Sequence, residues 1–186
     1  MGSDQFYWDA NAFLGLLNDE DGKADECARV LAAAKNGTVI IVTSALTLTE
    51  VLFVKGQPKL DPAKRSIVDR FFRAPYISVR NVTRQTADLA RDLVWDLNIR
   101  PKDAIHVATA CLYKVPIMHT FDDALIGKSG LVLAGHQLTI TKPAIIHQTD
   151  WVEENEQKPA ENTTRSGNGN VTPNAQHSTE SAPGED

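Results

Sequence analysis

The sequence has few cysteines and no long hydrophobic run, and both absences limit what kind of protein it can be. Its 186 residues include only two cysteines, Cys27 and Cys111, whose separation fits neither a disulfide framework nor a zinc site. Apolar runs such as VIIV at residues 39–42 are far shorter than the roughly 18 residues that a membrane-spanning helix needs. The polar start, MGSDQ, does not resemble a secretory signal. We therefore expect a cytoplasmic protein.

The composition changes sharply near residue 150. The preceding residues alternate apolar and polar segments and are numerous enough for one domain with a proper core. After Trp151, large apolar residues almost disappear, and Asn, Thr, Ser, Gly, Pro and Glu dominate. Such a segment cannot bury enough surface to offset the entropy lost on ordering. The sequence thus predicts a folded domain over residues 1–149 and a disordered, acidic low-complexity tail over residues 150–186.

Charge is also unevenly distributed around the net value of -5. From residue 150 onward, eight acids and two bases give a net charge of -6, which leaves about +1 for residues 1–149. Residues 51–102 contain eleven bases and five acids. A basic segment of this kind can attract a polyanion such as nucleic acid, although the solvated face of a helix would explain it as well.

Short apolar runs alternate with longer amphipathic patterns in the first 149 residues. This alternation is typical of an α/β domain with a mainly parallel sheet. Ser44, Asp61 and Thr83 are the predicted caps of three of the helices. The pattern predicts strands at residues 5–8, 39–42, 77–80, 117–119 and 138–142. It predicts a short helix from residue 10 and further helices at residues 23–35, 45–54, 62–74, 84–97 and 102–114.

Four acids lie at the ends of these elements or in unusual surroundings. Asp9 and Asp122 follow strands, Asp103 lies in the first turn of a helix, and Glu50 interrupts an apolar helix. Taken singly, these acids could be helix caps, turn residues or solvent-facing charges. Because ligands of open parallel sheets bind beyond the carboxyl ends of the strands, the four could also converge. Converging carboxylates favour Mg²⁺ or Mn²⁺, and such a site suggests metal-dependent phosphodiester chemistry.

In order and spacing, these acids resemble those of the PIN domain family, metal-dependent ribonucleases that include the toxins of VapBC toxin–antitoxin pairs. The resemblance covers about residues 5–142 and lies in Asp9 and Asn11 of DANAFL, Glu50 of TLTEVL, Asp103 of KDAIHVATA, and Thr120 and Asp122 of HTFDDAL. It implies a Rossmann-like α/β/α sandwich with Mg²⁺ or Mn²⁺ at the acids. It also implies an endoribonuclease that hydrolyses RNA with a metal-activated water, a small antitoxin partner and a homodimer.

The resemblance also implies a role for individual residues. Asn11 and Thr120 would orient the acids and their waters. Asp123 would either replace a further acid that the family often has in this loop or cap a helix beginning at Ala124. The catalytic and metal-binding residues would be Asp9, Glu50, Asp103 and Asp122. The bases that would hold the RNA backbone are Lys55, Arg65, Arg100 and Lys102.

Two other functions remain open at this point. Asp9 and Asn11 partly resemble the motif of haloacid dehalogenase-type phosphatases, but that family expects a second aspartate at Asn11 and gives no role to Glu50 or Asp103. A covalent phosphoenzyme would identify such a phosphatase. The chain could instead be a catalytically inactive PIN-like module that binds RNA or protein, and metal-dependent turnover would separate these readings.

One histidine lies close to the acids in the sequence. His106 follows Asp103 by three residues and so shares a face of the predicted helix with it. It could line the site, although packing in the core or exposure to solvent would account for it equally well.

Overall fold

The computed structural model describes residues 3–18, 20–52 and 61–145. The predicted tail and Lys55 lie outside these residues. The described strands are β1 (Asp4–Trp8), β2 (Val39–Ser44), β3 (Ile77–Arg80), β4 (Ile117–His119), β5 (Leu131–Leu133) and β6 (His136–Thr141). The described helices are α1 (Ala10–Leu17), α2 (Ala24–Lys35), α3 (Thr47–Glu50), α4 (Arg65–Phe72, after a 3₁₀ turn at Pro62–Lys64), α5 (Arg84–Leu97), α6 (Pro101–Leu112) and α7 (Asp123–Ile126). None of these described helices combines the length and apolarity needed to cross a bilayer.

The six described strands form one sheet in the order β3-β2-β1-β4-β6-β5. Neighbouring strands are parallel except β5, which runs antiparallel to β6. In the centre, Tyr7 of β1 lies opposite Val42 of β2 on one side and Met118 of β4 on the other. The chain order reverses between β1 and β4, so the carboxyl ends of these two strands form the crevice where open α/β sheets bind ligands.

Alternate residues of β1 face two separate cores. Phe6 and Trp8 pack on one face of the sheet with residues of α1, α2 and α4. Tyr7 points to the other face and packs with residues of α5 and α6. All three side chains are fully buried, and burial of an aromatic side chain of this size stabilises the fold by roughly 1.5–3 kcal/mol. The sheet is therefore covered by helices on both faces, which confirms the predicted α/β/α sandwich.

Side-chain caps fix where several helices begin. The Asp61 carboxylate accepts a hydrogen bond from the Ala63 N–H at 2.9 Å, directly before α4 and its 3₁₀ turn. Thr83 and Thr86 form a reciprocal capping box at the start of α5. Both caps were predicted because Asp and Thr accept the N–H groups that the first helical turn leaves without partners.

The predicted start of the helix that carries Glu50 is wrong. Ser44 is the last residue of β2, and its hydroxyl accepts a hydrogen bond from the Leu46 N–H at 3.0 Å. This local bond stabilises a turn at residues 45–46, so that α3 begins only at Thr47 and ends at Glu50. The rest of the predicted helix, beyond Leu52, lies outside the described residues.

The sequence pattern also missed β5. This strand has only three residues, and the two-residue turn at Ala134 and Gly135 connects it to β6. Both turn residues have positive φ, at 51° and 72°, which suits the twist of a tight hairpin. Ala-Gly is a weaker hairpin signal than Asn-Gly, and this explains why the pattern did not reveal the strand.

Candidate active site

Asp9 lies directly after β1 and is almost completely buried, with 2% of its surface exposed. One carboxylate oxygen accepts the Ala12 N–H at 3.0 Å and caps α1, whereas the other accepts the Thr120 hydroxyl at 2.5 Å. Burial raises the pKa of Asp9, and the charge of His106 and these hydrogen bonds only partly oppose that rise. Asp9 is therefore both a helix cap and a carboxylate at the crevice, so the two roles do not exclude each other.

Thr120 connects Asp9 to the loop that follows β4. Its hydroxyl donates to Asp9 and accepts the Asp122 N–H at 3.1 Å. Asp122 in turn accepts the N–H groups of Ala124 and Leu125, at 2.8 and 3.3 Å, and so caps α7. The prediction that Asp123 caps a helix from Ala124 is wrong by one residue, because Asp122 has the extended backbone of a cap and Asp123 is already helical.

Asp103 lies in the first turn of α6, two residues after Pro101. Burial raises the pKa of its carboxyl, and the negative charge of Asp122 raises it further, against the positive charges of Arg100 and His106. The charge of Glu50 adds to the same rise, and Asp103 itself raises the pKa of Asp9. These mutual effects mean that the four acids interact electrostatically across the carboxyl edge of the sheet.

Glu50 ends the short helix α3, and the structure places it among cationic and hydrogen-bonding groups. One oxygen lies 2.8 Å from His106 Nε2 and the other lies 3.4 Å from Lys102 Nζ. Burial opposes the charge on Glu50, but the hydrogen bond from His106 and the charges of both neighbours bring its pKa below the ordinary value. Glu50 is therefore ionised at neutral pH.

Two of the four bases predicted to contact RNA reach the acids. Arg100 lies 3.6 Å from an Asp122 oxygen, and Lys102 pairs with Glu50. Both basic side chains are mostly exposed, at 74% and 69%, so these ion pairs add little to stability. Arg65 instead lines an apolar groove of about 520 Å³ beside α4, and this groove contains none of the four acids.

Asn11 and Asp123 line a polar cleft of about 420 Å³ next to Asp122. The cleft is also bordered by Phe121 and by Lys23, whose ammonium lies 5.3 Å from the centre of the Phe121 ring. Both Asn11 and Asp123 are exposed. The structure thus brings these two residues to the edge of the acidic crevice, beside Asp122.

The donor chemistry of the crevice fits a hard divalent cation. In the described part of the chain, no three His, Cys, Asp or Glu side chains stand close enough to share one metal ion. Glu50 and Asp122 contact Lys102 and Arg100 instead. Nevertheless, the four acids lie at the same edge of the sheet, and burial and the charge of neighbouring acids raise the pKa of two of them, Asp9 and Asp103. Mg²⁺ or Mn²⁺ prefers such oxygen ligands and would relieve this repulsion.

The structure also brings to the site His106, whose role the sequence left open between lining the site, packing in the core and exposure to solvent. His106 is 2% exposed, and both of its ring nitrogens have partners. Nδ1 lies 2.8 Å from the Tyr7 hydroxyl and Nε2 lies 2.8 Å from Glu50. Its position three residues after Asp103 was the available signal, but the contact with Glu50 joins residues 56 positions apart and cannot be read from spacing.

Known proteins resemble this chain at the level of the family and of the fold. A solved structure of VapC20 from Mycobacterium tuberculosis, described as a sarcin-ricin loop cleaving toxin, matches with 16% identity and a TM-score of 0.51 over 63% of this chain and 89% of its own. A toxin–antitoxin complex from Klebsiella pneumoniae matches with 20% identity and a TM-score of 0.46, over 77% of this chain and 100% of its own. No curated protein matches the chain. At 16% identity the likeness to VapC20 establishes a shared fold. The PIN domain model matches residues 6–129, which is most of the folded region, and the chain therefore belongs to the PIN domain family.

Proposed function

We propose that this PIN domain is a metal-dependent endoribonuclease and the toxin of a VapBC-type toxin–antitoxin pair. The observation that carries the proposal is Asp9, a buried carboxylate at the reversal point of the sheet that interacts with Asp103 and, through Thr120, with the loop of Asp122. Thr120 links it to the loop of Asp122, and Asp103 raises its pKa. A purely structural carboxylate has no need of a further acid such as Asp103 beside it, because the negative charge of that acid opposes its own.

In this proposal, the four acids would hold the metal ion directly or through water. When bound, Mg²⁺ or Mn²⁺ would lower the pKa of water and stabilise negative charge on the phosphate under attack. Glu50 is ionised at neutral pH, and Thr120 fixes the orientation of Asp9. Asn11, Thr120 and Asp123 support the acids and the water molecules between them, and one of the carboxylates accepts the proton of the attacking water.

Arg100 and Lys102 are proposed to contact the RNA backbone. Their exposed side chains already lie beside Asp122 and Glu50, so they can move to a phosphate without disturbing the core. Once a cation binds the acids, the carboxylates no longer need these basic partners. The contacts with phosphate would be independent of sequence and sensitive to salt. Arg65, which lines the groove beside α4, would contact the RNA farther from the acids, and the proposed contact of Lys55 lies outside the described residues.

The family and the shared fold support the toxin part of the proposal. VapC20 is described as a sarcin-ricin loop cleaving toxin, and this description supports RNA as the substrate class proposed here. A toxin of this kind requires a small antitoxin that covers the acidic crevice, and we expect the toxin to act as a homodimer. Both the substrate and the antitoxin would be met in the cytoplasm, the compartment that the sequence predicts.

The decisive experiment is RNA cleavage by the full chain and by Asp9→Asn. A panel of labelled transfer, ribosomal and synthetic RNAs is incubated with Mg²⁺, Mn²⁺ or EDTA. Asparagine can still accept the Ala12 N–H, so the variant should fold. Asp96→Asn, an exposed acid on α5, is the matched control. We expect cleavage that requires metal, disappears in Asp9→Asn and persists in Asp96→Asn.

Other outcomes would identify the alternatives. RNA binding without metal-dependent cleavage would indicate the inactive binding module, whereas a covalent phosphoenzyme would indicate the phosphatase. The toxin role is tested separately by inducing the chain in bacterial cells. Growth should stop with the wild type and continue with Asp9→Asn. Continued growth with an active ribonuclease would reject the toxin role and leave the chemistry standing.

A further inference from the structure

The short helix α3 gives Glu50 little support of its own. The helix has four residues, and its first turn has no side-chain cap. An isolated helix of this length is unstable in water, because it cannot offset the cost of nucleation. The contact between Glu50 and Lys102 also gives little constraint, since it is 3.4 Å long and Lys102 is 69% exposed. The bond between the Thr43 and Thr47 hydroxyls, 2.7 Å long, anchors the start of α3, so the Glu50 carboxylate at the other end of the helix needs a contact of its own.

His106 supplies that contact from the interior of the fold. Its ring is 2% exposed and belongs to α6, a twelve-residue helix with seven buried residues. Its Nε2 lies 2.8 Å from one oxygen of Glu50. A hydrogen bond between a charged carboxylate and a buried partner is stronger than an exposed ion pair, because water competes with it less. The second oxygen of Glu50 remains directed at the more exposed side of the crevice, where Lys102 lies.

The orientation of the His106 ring is fixed in turn by Tyr7. The phenol oxygen lies 2.8 Å from Nδ1, and Tyr7 belongs to the central strand β1 and is fully buried. Burial raises the pKa of this phenol, so it retains its proton and can act as a donor. Both bonds are satisfied in either protonation state of the imidazole. In the neutral ring with its proton on Nε2, the Tyr7 hydroxyl donates to Nδ1, and in the charged ring Nδ1–H donates to the Tyr7 oxygen; Nε2–H donates to Glu50 in both.

We propose that His106, supported by Tyr7, is the positioning residue that holds Glu50 toward the metal site. The inference rests on the proposed function and deepens it, because it says how one acid on a short helix reaches the place of the other three. Three separate elements, β1, α6 and α3, are joined by two hydrogen bonds. Residues that orient metal-binding carboxylates in this way typically change metal affinity by 10–100-fold when they are removed.

Amide substitutions at His106 separate the two hydrogen bonds. Glutamine places its amide nitrogen near the position of Nε2 and can keep the bond to Glu50, whereas asparagine reaches only the position of Nδ1. We expect His106→Asn and His106→Ala to weaken Mn²⁺ binding by roughly 10–100-fold and His106→Gln to restore most of the affinity. Tyr7→Phe should cause a smaller loss in the same direction. His136→Gln and Tyr113→Phe, which alter residues outside this chain of hydrogen bonds, are the matched controls.

Mn²⁺ binding is measured by titration calorimetry on the full chain, after thermal unfolding has shown that each variant is folded. The proposal would be overturned if His106→Ala and Tyr7→Phe bound Mn²⁺ as tightly as the wild type. It would also be overturned if His106→Gln and His106→Asn had the same Mn²⁺ affinity. A wild type that binds no Mn²⁺ would overturn it too.

RNA cleavage is assayed in parallel. We expect His106→Ala and His106→Asn to have a lower kcat than the wild type, with little change in the KM for RNA. A wild type that binds Mn²⁺ with the expected differences but cuts no RNA would reject the proposed function alone.

Discussion

At the scale of single residues, the Thr120 hydroxyl serves two acids at once. It donates to Asp9 and accepts the Asp122 N–H, and the side chain is fully buried. We expect Thr120→Val to destabilise the protein by about 1–3 kcal/mol, because valine has the same shape but leaves both buried groups without a partner. Loss of this bond also raises the pKa of Asp9 further, since the Thr120 hydrogen bond lowers it.

Urea unfolding and Mn²⁺ titration test this prediction for Thr120. Thr120→Ser is the control, because serine keeps the hydroxyl and should retain most of the wild-type stability and affinity. If the valine and serine variants behaved alike in both measurements, the hydroxyl would have no special role at the site.

His119 makes stability depend on pH through its burial. It accepts a hydrogen bond from the Trp8 indole at 3.1 Å, and its Nε2 is buried with no partner among the described residues. Burial lowers the pKa of His119 from 6.5 to about 3. The unfolded chain therefore takes up a proton below pH 6.5 that the folded chain does not take up until about pH 3. Each pH unit within this window should cost about 1.4 kcal/mol of stability.

The contribution of His119 is isolated by comparing the wild type with His119→Asn. Asparagine keeps an acceptor for Trp8 but does not titrate. The free energy of unfolding should fall between pH 7 and pH 5 by about 2 kcal/mol more in the wild type than in the variant. Parallel curves for the wild type and His119→Asn would contradict the prediction.

At the scale of elements, the turn between β5 and β6 contains an unfavourable residue. Ala134 has a φ of 51°, a conformation in which the β-carbon approaches the following carbonyl oxygen, and its side chain is exposed. Gly135 follows with a φ of 72°. Asn-Gly is the preferred pair for a two-residue turn with positive φ at both positions. We expect Ala134→Asn to stabilise the protein by roughly 0.5–1 kcal/mol.

The stability of the hairpin variants is measured by thermal and urea unfolding. Ala134→Val is the matched comparison, because a β-branched side chain tolerates positive φ poorly and should destabilise the protein. RNA cleavage should be unchanged in both variants, since the turn contains none of the proposed site residues. An asparagine variant no more stable than the wild type would show that the turn is not strained.

At the scale of the whole molecule, the acidic segment and the basic segment carry opposite charges in one chain. Residues 150–186 carry a net charge of -6, whereas residues 51–102 carry +6. The acidic segment could compete with RNA for the basic surface. In that case a variant of the full chain, with the eight acids of residues 150–186 replaced by Asn or Gln, should bind RNA more tightly than the unsubstituted chain at low salt. The gain should shrink as salt rises, because screening weakens both interactions.

RNA binding is measured by fluorescence anisotropy at several salt concentrations, on Asp9→Asn protein so that the RNA stays intact. Replacing the acids by amides preserves chain length, which separates charge from bulk. The same affinity and the same salt dependence in both proteins would rule out competition by residues 150–186.

Much of the site could be predicted from the sequence because its acids lie at the ends of elements. Asp9 follows a strand, and Asp103 lies in the first turn of a helix that begins with Pro101, so both positions are set by local patterns. Glu50 was placed in a longer helix than α3, because the bond between Ser44 and the Leu46 N–H was not visible in the pattern. The cap of α7 was shifted by one residue, since two adjacent aspartates offer the same local signal.

The sequence by itself determined the α/β class, five of the six described strands and the local positions of the four candidate acids, since these depend on hydrophobic periodicity and on capping groups within a few residues. Only the tertiary structure decided which side chains meet. The order of the strands brings the end of β1 beside the end of β4, and this places Thr120 against Asp9. The chain of Tyr7, His106 and Glu50 likewise joins residues 99 and 56 positions apart. Such contacts arise from packing of distant elements, and no local pattern in the chain encodes them.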